Sequence, residues 1–495
     1  MDFDPVERYY HMSAQEIRRI QEEKLRDFMR YQVYPFSPYY RKLFDDNGID
    51  PDSIRRIEDL ERIPLTRKED IMPTEQNPKR YKDFILQPDL EKIKRYWPRT
   101  RLLKMKMKQM AGRDVKEELN REYYPNFMIA TSGTTGNNVP FMYTLRDIKQ
   151  FSNAFRSVQD VVGLKNDHVV LNAFPFAPHL AFVFVYWVNV HSPLRIFHTG
   201  GGAVTSTVKT LEVIEAVDAN CMLGIPSYIY HLLRNAQEKK SDLSGIELVL
   251  TAGEKLTGST RENLREMLIE RGAKDPKIFN IYGTTEMRDA IPECKPGVSE
   301  FHIHPNLHIF EIVDPETGKQ KKEGESGAVA VTSIDGRGTV VLRFLIGDIF
   351  EGGIRYDRCP HCGSSIPRIV GPIGRIRDYS RKVDLTNIKG TLLNLNLFYD
   401  VMPKIEGVDE WQVSIEKKNN DPHELDLLKI NVAALEGYDR DKLRKEIVER
   451  INDAVEINPV VDTSFEADRL FERMGGKVKV QRIVDLRDEI RDREE

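Results

Sequence analysis

Apolar and polar residues along the middle of the chain follow a pattern that predicts strands and helices in turn. Short apolar runs fit strands at 126–130, 139–143, 195–199, 220–224, 247–251 and 278–282. Longer segments with the helical spacing of apolar residues lie at 206–218, 226–239 and 258–271. Strands that alternate with helices of about 10–15 residues are typical of α/β layers around a largely parallel sheet. We therefore predict the α/β fold class.

The segments on either side of this region have a different character. Residues 1–77 predict short helices, and Ser13 to Glu16 has the spacing of a capping box. Residues 309–350 predict a β-rich subdomain, and 409–495 predict the strand, strand, helix, strand order of a small α+β domain. Because the composition changes after Gly374-Arg375, we predict one large domain over 1–377 and a small one over 378–495.

The loop Thr131-Ser132-Gly133-Thr134-Thr135-Gly136 lies between two predicted strands. Glycines allow a tight turn and a close approach of the backbone to a ligand. Exposed amides and hydroxyls form a concave site suited to phosphates. The loop does not have the Gly-x-x-x-x-Gly-Lys-Ser/Thr sequence of a Walker-type motif. Taken alone, it fits either a phosphate site or a Ser/Thr-rich hairpin.

Further polar segments follow predicted strands or lie near the C-terminus: Thr251-Ala252-Gly253-Glu254, Tyr282-Gly283-Thr284-Thr285-Glu286, Gly347-Asp348 and Gly475-Gly476-Lys477. Open α/β sheets bind ligands at the carboxyl ends of their strands. Glu286 could hold a divalent cation, Tyr282 could stack on a base, and Asp348 could accept ribose hydroxyls. Lys477 could reach a transferring phosphate. Taken separately, the Thr251–Glu254 and Tyr282–Glu286 segments are each more often a loop than a site.

Composition and charge exclude several classes of protein. The chain has 495 residues, 40% hydrophobic and 31% charged, with a net charge of −4, so no net positive field attracts nucleic acid or a membrane. We expect the basic run 104–108 to be a solvated helix face. Leu180 to Val190 is too short to span a bilayer and predicts a buried strand or helix. Without an apolar signal core at the N-terminus, and with four cysteines, we expect a reducing cytoplasm.

The order of these motifs resembles that of the acyl-adenylate-forming superfamily. Within it, the chain is similar to the phenylacetate–coenzyme A ligase branch almost from end to end. Segments that carry this resemblance include Phe36-Ser37-Pro38-Tyr39-Tyr40-Arg41, Gly224-Ile225-Pro226-Ser227-Tyr228 and Ile312-Val313-Asp314-Pro315-Glu316-Thr317-Gly318. The resemblance implies a large adenylation domain, a mobile C-terminal domain and ligation of a carboxylic acid to coenzyme A. ATP and Mg²⁺ would form an acyl-adenylate first.

The resemblance also implies a role for each motif residue. Ser132, Gly133, Thr134, Thr135 and Gly136 would close over the phosphates, while Ala252, Gly253 and Glu254 would line the adenine pocket. Tyr282, Gly283 and Thr284 would continue the nucleotide site, with Tyr282 stacked on adenine, and Asp348 and Arg375 would hold the ribose. Thr285 would contact the α-phosphate, Glu286 would bind magnesium, Asp378 would be the hinge, and Lys477 would stabilise the transition state. Lys479 is the alternative to Lys477.

Cys359-Pro360-His361-Cys362 is half of a zinc site. The resemblance implies that Cys294 and His302 complete a structural Cys₃His set, with His304 as an alternative to His302. A redox pair and unrelated loop cysteines remain open as interpretations. Cys221 reads as a small buried hydrophobe.

The substrate is less defined than the reaction. By resemblance, Phe174, Phe176 and His179 border the acid pocket, although each also fits an ordinary core role. We expect an aromatic, aryl-acetic or small hydroxy acid, a possible homodimer, and no nucleic-acid or membrane partner. Two alternatives are adenylation with another acceptor, such as a deazaflavin or a carrier protein, and a zinc-stabilised interaction protein.

Overall fold

The described chain consists of many short elements joined by tight connections. The computed structural model describes residues 6–131, 139–176, 180–202, 204–376, 385–388, 391–394, 397–417, 426–455, 459–475 and 480–486. The strands are β1 (Pro125–Ala130), β2 (Pro140–Thr144), β3 (Val169–Asn172), β4 (Arg195–His198), β5 (Cys221–Gly224), β6 (Leu248–Ala252), β7 (Lys277–Thr284), β8 (Asp289–Pro292), β9 (Glu300–His302), β10 (His308–Val313), β11 (Gly327–Ser333), β12 (Phe344–Phe350), β13 (Ile354–Arg355), β14 (Arg368–Val370), β15 (Ile373–Arg375), β16 (Leu385–Ile388), β17 (Thr391–Asn394), β18 (Val408–Lys417), β19 (Asp426–Ala434), β20 (Val460–Phe465) and β21 (Ile483–Asp485).

The helices include α-helical, 3₁₀ and π segments. The α-helices are α1 (Ala14–Phe28), α2 (Tyr34–Phe36), α3 (Pro38–Asp46), α4 (Lys68–Ile71), α5 (Leu90–Tyr96), α6 (Arg99–Met110), α7 (Val115–Tyr123), α8 (Leu145–Val162), α9 (Leu180–His191), α10 (Thr207–Ala216), α11 (Pro226–Lys239), α12 (Gly258–Glu270), α13 (Leu397–Val401), α14 (Arg440–Val455) and α15 (Ala467–Arg473). The 3₁₀ helices are Val6–His11, Pro51–Ser53, Ile57–Arg62, Arg80–Phe84 and Met402–Lys404, and Met29–Val33 is π-helical.

The chain divides into two compact units, each built from three stretches of sequence. The first unit comprises residues 1–168, 176–196 and 279–374. The second comprises residues 169–175, 197–278 and 375–495. The predicted boundary between 377 and 378 lies outside the described residues and stays a prediction.

The second unit contains the parallel strands that the sequence predicts. Strand β5 pairs in parallel with both β3 and β6, so that Cys221 lies opposite Val170 and Leu248. All four residues of β5 are buried, as expected for a strand covered on both faces. Helix α11 begins directly after β5 with Pro226, because the first turn of a helix needs no amide hydrogen from that residue. The α/β prediction is confirmed.

The C-terminal part of the second unit is a four-stranded sheet in the order β20-β19-β18-β21. Strands β18 and β19 are antiparallel, and the two outer pairings are parallel. Its core contains Trp411, Ile430 and Leu443. The predicted order of strand, strand, helix and strand is confirmed, while the short elements α15 and β21 were not predicted.

The first unit holds the β-rich part of the chain. Its two sheets have the orders β10-β11-β12-β15 and β13-β14-β9. Their shared core includes Phe301, Phe310 and Phe350. Helix α8 begins with a capping box in which Thr144 and Asp147 exchange hydrogen bonds, and it ends at the left-handed Gly163.

The apolar segment at 180–190 and the basic run at 104–108 are both helical. Residues 180–191 form α9, which is 12 residues long. No helix in the described residues combines the length and apolar character needed to cross a bilayer. The basic run lies in α6, and no residue of that helix is buried, in agreement with the predicted exposed helix.

Candidate functional site

The base of the glycine loop is closed by hydrogen bonds from Thr131. Its amide donates to the Val139 carbonyl at 3.0 Å, and its hydroxyl accepts from the Val139 amide at 3.2 Å. Strands β1 and β2 then continue as an antiparallel pair. The two flanking strands are as predicted, whereas Ser132, Gly133, Thr134, Thr135 and Gly136 lie outside the described residues.

In the second unit, the turn after β6 carries Ala252, Gly253 and Glu254. Gly253 has a φ of +83°, a conformation that favours glycine. One oxygen of Glu254 accepts the Ser227 amide at the start of α11, at 3.1 Å, and the other accepts the Val480 amide at 3.2 Å. The Glu254 carboxylate therefore joins this turn to the end of the segment that contains Lys477. Sequence reasoning missed this role, because Val480 is 226 residues away.

In the first unit, the structure brings together two of the predicted nucleotide residues. The Tyr282 hydroxyl donates to Asp348 at 2.9 Å, and both side chains are buried. The Tyr282 ring packs edge-on against Phe350 with centroids 5.1 Å apart. The carboxylate that is predicted to bind ribose is thus held in place by the aromatic side chain that is predicted to meet adenine.

The hairpin of β7 and β8 positions the rest of this motif. Gly283 lies opposite Ala290, and a Cβ at position 283 would be only 2.6 Å from the Asp289 carbonyl oxygen, so the pairing requires glycine. The Thr284 hydroxyl accepts the Met287 amide at 3.2 Å. Glu286 lies half-exposed in the turn, where a carboxylate could contact a hard cation.

A buried network below this turn was not predicted from the sequence. The Asp147 carboxylate pairs with Arg288 at 3.3 Å and accepts the amides of Arg337 and Gly338 at 3.0 and 2.8 Å. Arg288, two residues after Glu286, also donates to Ser333 at 2.9 Å. The capping-box spacing of Thr144 and Asp147 was the available signal.

Tyr143 is hydrogen-bonded to the turn that carries Thr285 and Glu286. Its hydroxyl donates to the Thr285 carbonyl at 3.0 Å. Burial raises the pKa of Tyr143 well above its ordinary value, and nearby Glu286 adds to the effect while Arg288 opposes it. The neutral phenol therefore remains a hydrogen-bond donor at the turn.

The predicted acid-pocket residues have different surroundings. Phe174 is buried in the second unit, and its amide donates to the Asn172 side chain at 3.2 Å. Phe176, in the first unit, is exposed and meets Phe182 edge-on at 5.1 Å. His179, Asp378, Lys477 and Lys479 lie outside the described residues, and for Arg375 only the strand position is described.

The predicted zinc ligands converge in the first unit. One ligand atom from each of Cys294, His302, Cys359 and Cys362 lies within 4.8 Å of all the others. The Cys294 and Cys359 sulfurs are 3.7 Å apart, and Cys362 Sγ is 3.3 Å from His302 Nε2. His302 Nδ1 contacts the Ile366 carbonyl at 3.0 Å, which leaves Nε2 directed at the cysteines. Three sulfurs and one imidazole nitrogen are a donor set that fits tetrahedral zinc.

The electrostatic environment differs from one residue of this cluster to the next. Burial raises the pKa of Cys294, and the neighbouring Cys362 and Cys359 reinforce that effect. At Cys359 burial acts in the same direction, but the amides of Cys362 and His361 outweigh it and lower the pKa. Burial lowers the pKa of His302, which favours the neutral imidazole that a metal requires.

His304, the alternative ligand, belongs to another cluster. Its Nδ1 contacts both oxygens of Asp289 at 2.8 Å, and His308 Nε2 is 3.9 Å from the same carboxylate. Although burial opposes it, His304 and His308 keep the pKa of Asp289 lowered. Burial lowers the pKa of His308 to about 4. His302 is therefore the histidine that faces the cysteines.

Comparison with known proteins gives the same assignment as the motifs. Residues 65–335 match the sequence profile of the family described as AMP-binding enzyme. The phenylacetate-coenzyme A ligase of Thermus thermophilus is 25% identical over 96% of this chain and 98% of its own length. The phenylacetate-coenzyme A ligase of Escherichia coli is 23% identical over 70% of this chain and 69% of its own length.

A solved structure shares the fold. A crystal structure of 2-hydroxyisobutyryl-CoA ligase, in a postadenylation state, superimposes with a TM-score of 0.74 and 19% identity. The match covers 99% of this chain and 93% of the other. At this identity the likeness concerns the fold, and it confirms the predicted fold class.

Proposed function

This chain belongs to the family of AMP-binding enzymes. On that basis we propose that it ligates a carboxylic acid to coenzyme A with ATP. The acid would first displace pyrophosphate to form an acyl-adenylate, and the thiol of coenzyme A would then release AMP. The hydrogen bond between Tyr282 and Asp348 is the observation that carries this proposal. It joins two residues, 66 positions apart in sequence, that are both predicted to bind the nucleotide.

The residues of the site would divide the work of adenylation. A carboxylate and the α-phosphate both carry negative charge, so their approach needs compensating positive charge. Magnesium, when held by Glu286, would supply part of that charge. Lys477 would supply the rest, and the Glu254 carboxylate would fix the end of its segment at Val480. Asp348 would accept the ribose hydroxyls, while Thr285 would contact the α-phosphate.

The remaining assignments extend the proposal. Ser132 to Gly136 would enclose the outer phosphates, and Ala252 and Gly253 would border the adenine. Arg375 would assist at the ribose, and Asp378 would be the hinge of the C-terminal domain. Cys294, His302, Cys359 and Cys362 would bind a structural zinc ion. A cytoplasmic location fits these thiols, because a reducing compartment keeps them available as ligands.

The decisive experiment is a panel of carboxylic acids scored by pyrophosphate release. The panel begins with phenylacetate and 2-hydroxyisobutyrate, the acids in the names of similar proteins. We expect release that depends on one acid class, with AMP and an acyl-coenzyme A thioester identified by mass. Equal pyrophosphate release without acid would contradict ligation. AMP or the acyl group on another acceptor would identify the alternative functions.

Variants assign the site residues. Asp348→Asn should raise the KM for ATP by about 10-fold or more, since a hydrogen bond to a charged group is lost. Lys477→Ala should lower pyrophosphate release, and Lys479→Ala should have the smaller effect. Lys322→Ala, at an exposed turn, is the matched control. A full adenylation rate in both Lys477→Ala and Lys479→Ala would contradict the proposed mechanism.

A further inference from the structure

Helix α6 presents apolar side chains to solvent. Leu103 is 60% exposed, Met107 61% and Met110 80%, and no residue of the helix is buried. Single exposed apolar residues are common on protein surfaces and need no explanation. On α6, however, three large apolar side chains are exposed on one short helix.

The three apolar residues form a stripe along α6. They are spaced by four and three positions, and at about 100° per residue they lie within roughly 60° of one another around the helix. Lys106 borders the stripe on one side and Lys104 on the other. Arg101 and Met105, which are half-buried, lie on the opposite side. The helix therefore shows solvent an apolar stripe between two lysines.

The charge of α6 is entirely positive. Its sequence contains Arg99, Arg101, Lys104, Lys106 and Lys108 and no acidic residue. Arg101 pairs with Glu122 at 3.6 Å, and Lys108 pairs with Glu118 at 2.7 Å, both on α7. Lys104 and Lys106 form no ion pair with any residue that the structure describes. Arg99 is likewise without an ion pair among the described residues, and Lys104 and Lys106 are the two unpaired charges that flank the stripe.

We propose that α6 lies in the headgroup region of an anionic phospholipid surface, with Leu103, Met107 and Met110 inserted between Lys104 and Lys106. A basic helix with an apolar stripe is the form that binds such surfaces in the interfacial plane. Lysine stems lie along apolar surface while their ammonium groups reach the lipid phosphates. Unbranched methionine adapts to an irregular layer of acyl chains. The net charge of −4 lies on the whole chain, so this contact is local.

Protein partners fit α6 less well. A twofold contact between two copies through α6 would bring two wholly basic helices together. A stable protein interface buries about 800 Å² on each partner and is enriched in aromatic residues, whereas the stripe has three narrow side chains and no aromatic ring. The inference is independent of the proposed ligase reaction.

Vesicle sedimentation tests the proposal directly. The full-length protein is mixed with phosphatidylcholine vesicles that contain about 30% phosphatidylglycerol, or with pure phosphatidylcholine vesicles. We expect at least about 10-fold stronger binding to the anionic vesicles, decreasing with added salt. The triple variant Leu103→Ser/Met107→Ser/Met110→Ser and the double variant Lys104→Glu/Lys106→Glu should each bind about 10-fold more weakly.

Matched control variants test whether vesicle binding depends on this surface rather than on non-specific adhesion. Leu90→Ser removes a leucine that is also 60% exposed, and Lys319→Glu/Lys322→Glu reverses two exposed charges elsewhere. Both should bind vesicles like the parent protein. If the triple variant fails to fold, Met110→Ser, at the most exposed position, replaces it. No binding to anionic vesicles, equal binding by all variants, or a stripe-dependent dimer without vesicle binding would overturn the proposal.

Discussion

Two clusters in the first unit contain the side chains that metals prefer, yet they differ in the contacts that those side chains already make. In the first, Cys294, His302, Cys359 and Cys362 direct their ligand atoms at one another within 4.8 Å. In the second, Asp289 is hydrogen-bonded to His304 at 2.8 Å and to the Ala290 amide at the same distance.

The difference lies in whether the available ligand atoms converge, since His304 Nε2 and His308 Nδ1 in the second cluster also have no hydrogen-bond partner among the described residues. His302 uses Nδ1 on the Ile366 carbonyl, so its Nε2 is directed at the sulfurs. The carboxylate of Asp289 has its oxygens engaged by the protein itself. Histidine and an acidic or thiol neighbour therefore do not define a metal site by proximity alone. A metal site is defined instead by donor atoms that have no other partner and that converge on one point.

Cys294→Ser should produce the largest change, because it removes one of the four proposed metal ligands. We expect loss of stoichiometric zinc and a fall in unfolding free energy of more than about 4 kcal/mol. Metal analysis by mass spectrometry and thermal unfolding measure both. A stable, fully folded parent protein after chelation would contradict a structural metal and weaken the contrast between the clusters.

Asp289→Asn should also destabilise the protein but leave the metal in place. It removes the charge that faces buried His304 and His308, at a cost of about 3–5 kcal/mol. Denaturant unfolding together with metal content tests this. Asp357→Asn is the control, because this exposed carboxylate pairs with Arg368 at the surface end only, and it should change stability by less than about 1 kcal/mol. Loss of zinc in Asp289→Asn would indicate that the two clusters belong to one metal site.

The pH dependence of stability should identify the second cluster. Burial lowers the pKa of His308 to about 4, below its value of about 6.5 in the unfolded chain. The unfolded state therefore takes up a proton first as the pH falls. Stability from the neutral imidazole is present above about pH 6.5 and is lost towards pH 4, by up to about 3 kcal/mol.

Replacement of His308 isolates this contribution. His308→Gln should flatten the decrease in unfolding free energy between about pH 6.5 and 4, relative to the parent protein. Both proteins are compared with metal bound, because acid also protonates metal ligands. Identical pH profiles would show that His308 does not supply the dependence.

Cys221→Ala should have the smallest effect. Cys221 is fully buried in β5, and burial raises the pKa of its thiol, so it behaves as a small apolar side chain. We expect a loss of about 1 kcal/mol from the small cavity and unchanged zinc content. Zinc loss on this substitution would place a thiol outside the first cluster among the ligands.

Local patterns were sufficient to predict much of the fold. The alternation of apolar runs located β5, β6 and α11 within a few residues, because periodicity and Pro226 act over short distances. The Cys359-x-x-Cys362 spacing located half of the metal cluster for the same reason. The choice between His302 and His304 required the structure, because residues two apart share a face of a strand.

Contacts between distant segments were beyond the sequence patterns. No spacing rule connects Tyr282 with Asp348, or Glu254 with Val480. The pairing of Asp147 with Arg288 depends on how the hairpin of β7 and β8 packs on α8. Such contacts arise when apolar burial brings elements together, so they follow from tertiary packing rather than from local preference.

The hairpin glycine affects how relatives of this chain can be sorted by motif. At Gly283 any larger residue would collide with the Asp289 carbonyl, 2.6 Å from the position of a Cβ. A glycine here therefore reports that two strands pair, and an inactive descendant with the same hairpin would keep it. Under the roles proposed for Thr285 and Glu286, those two positions would separate active enzymes from inactive copies of this fold in genome surveys.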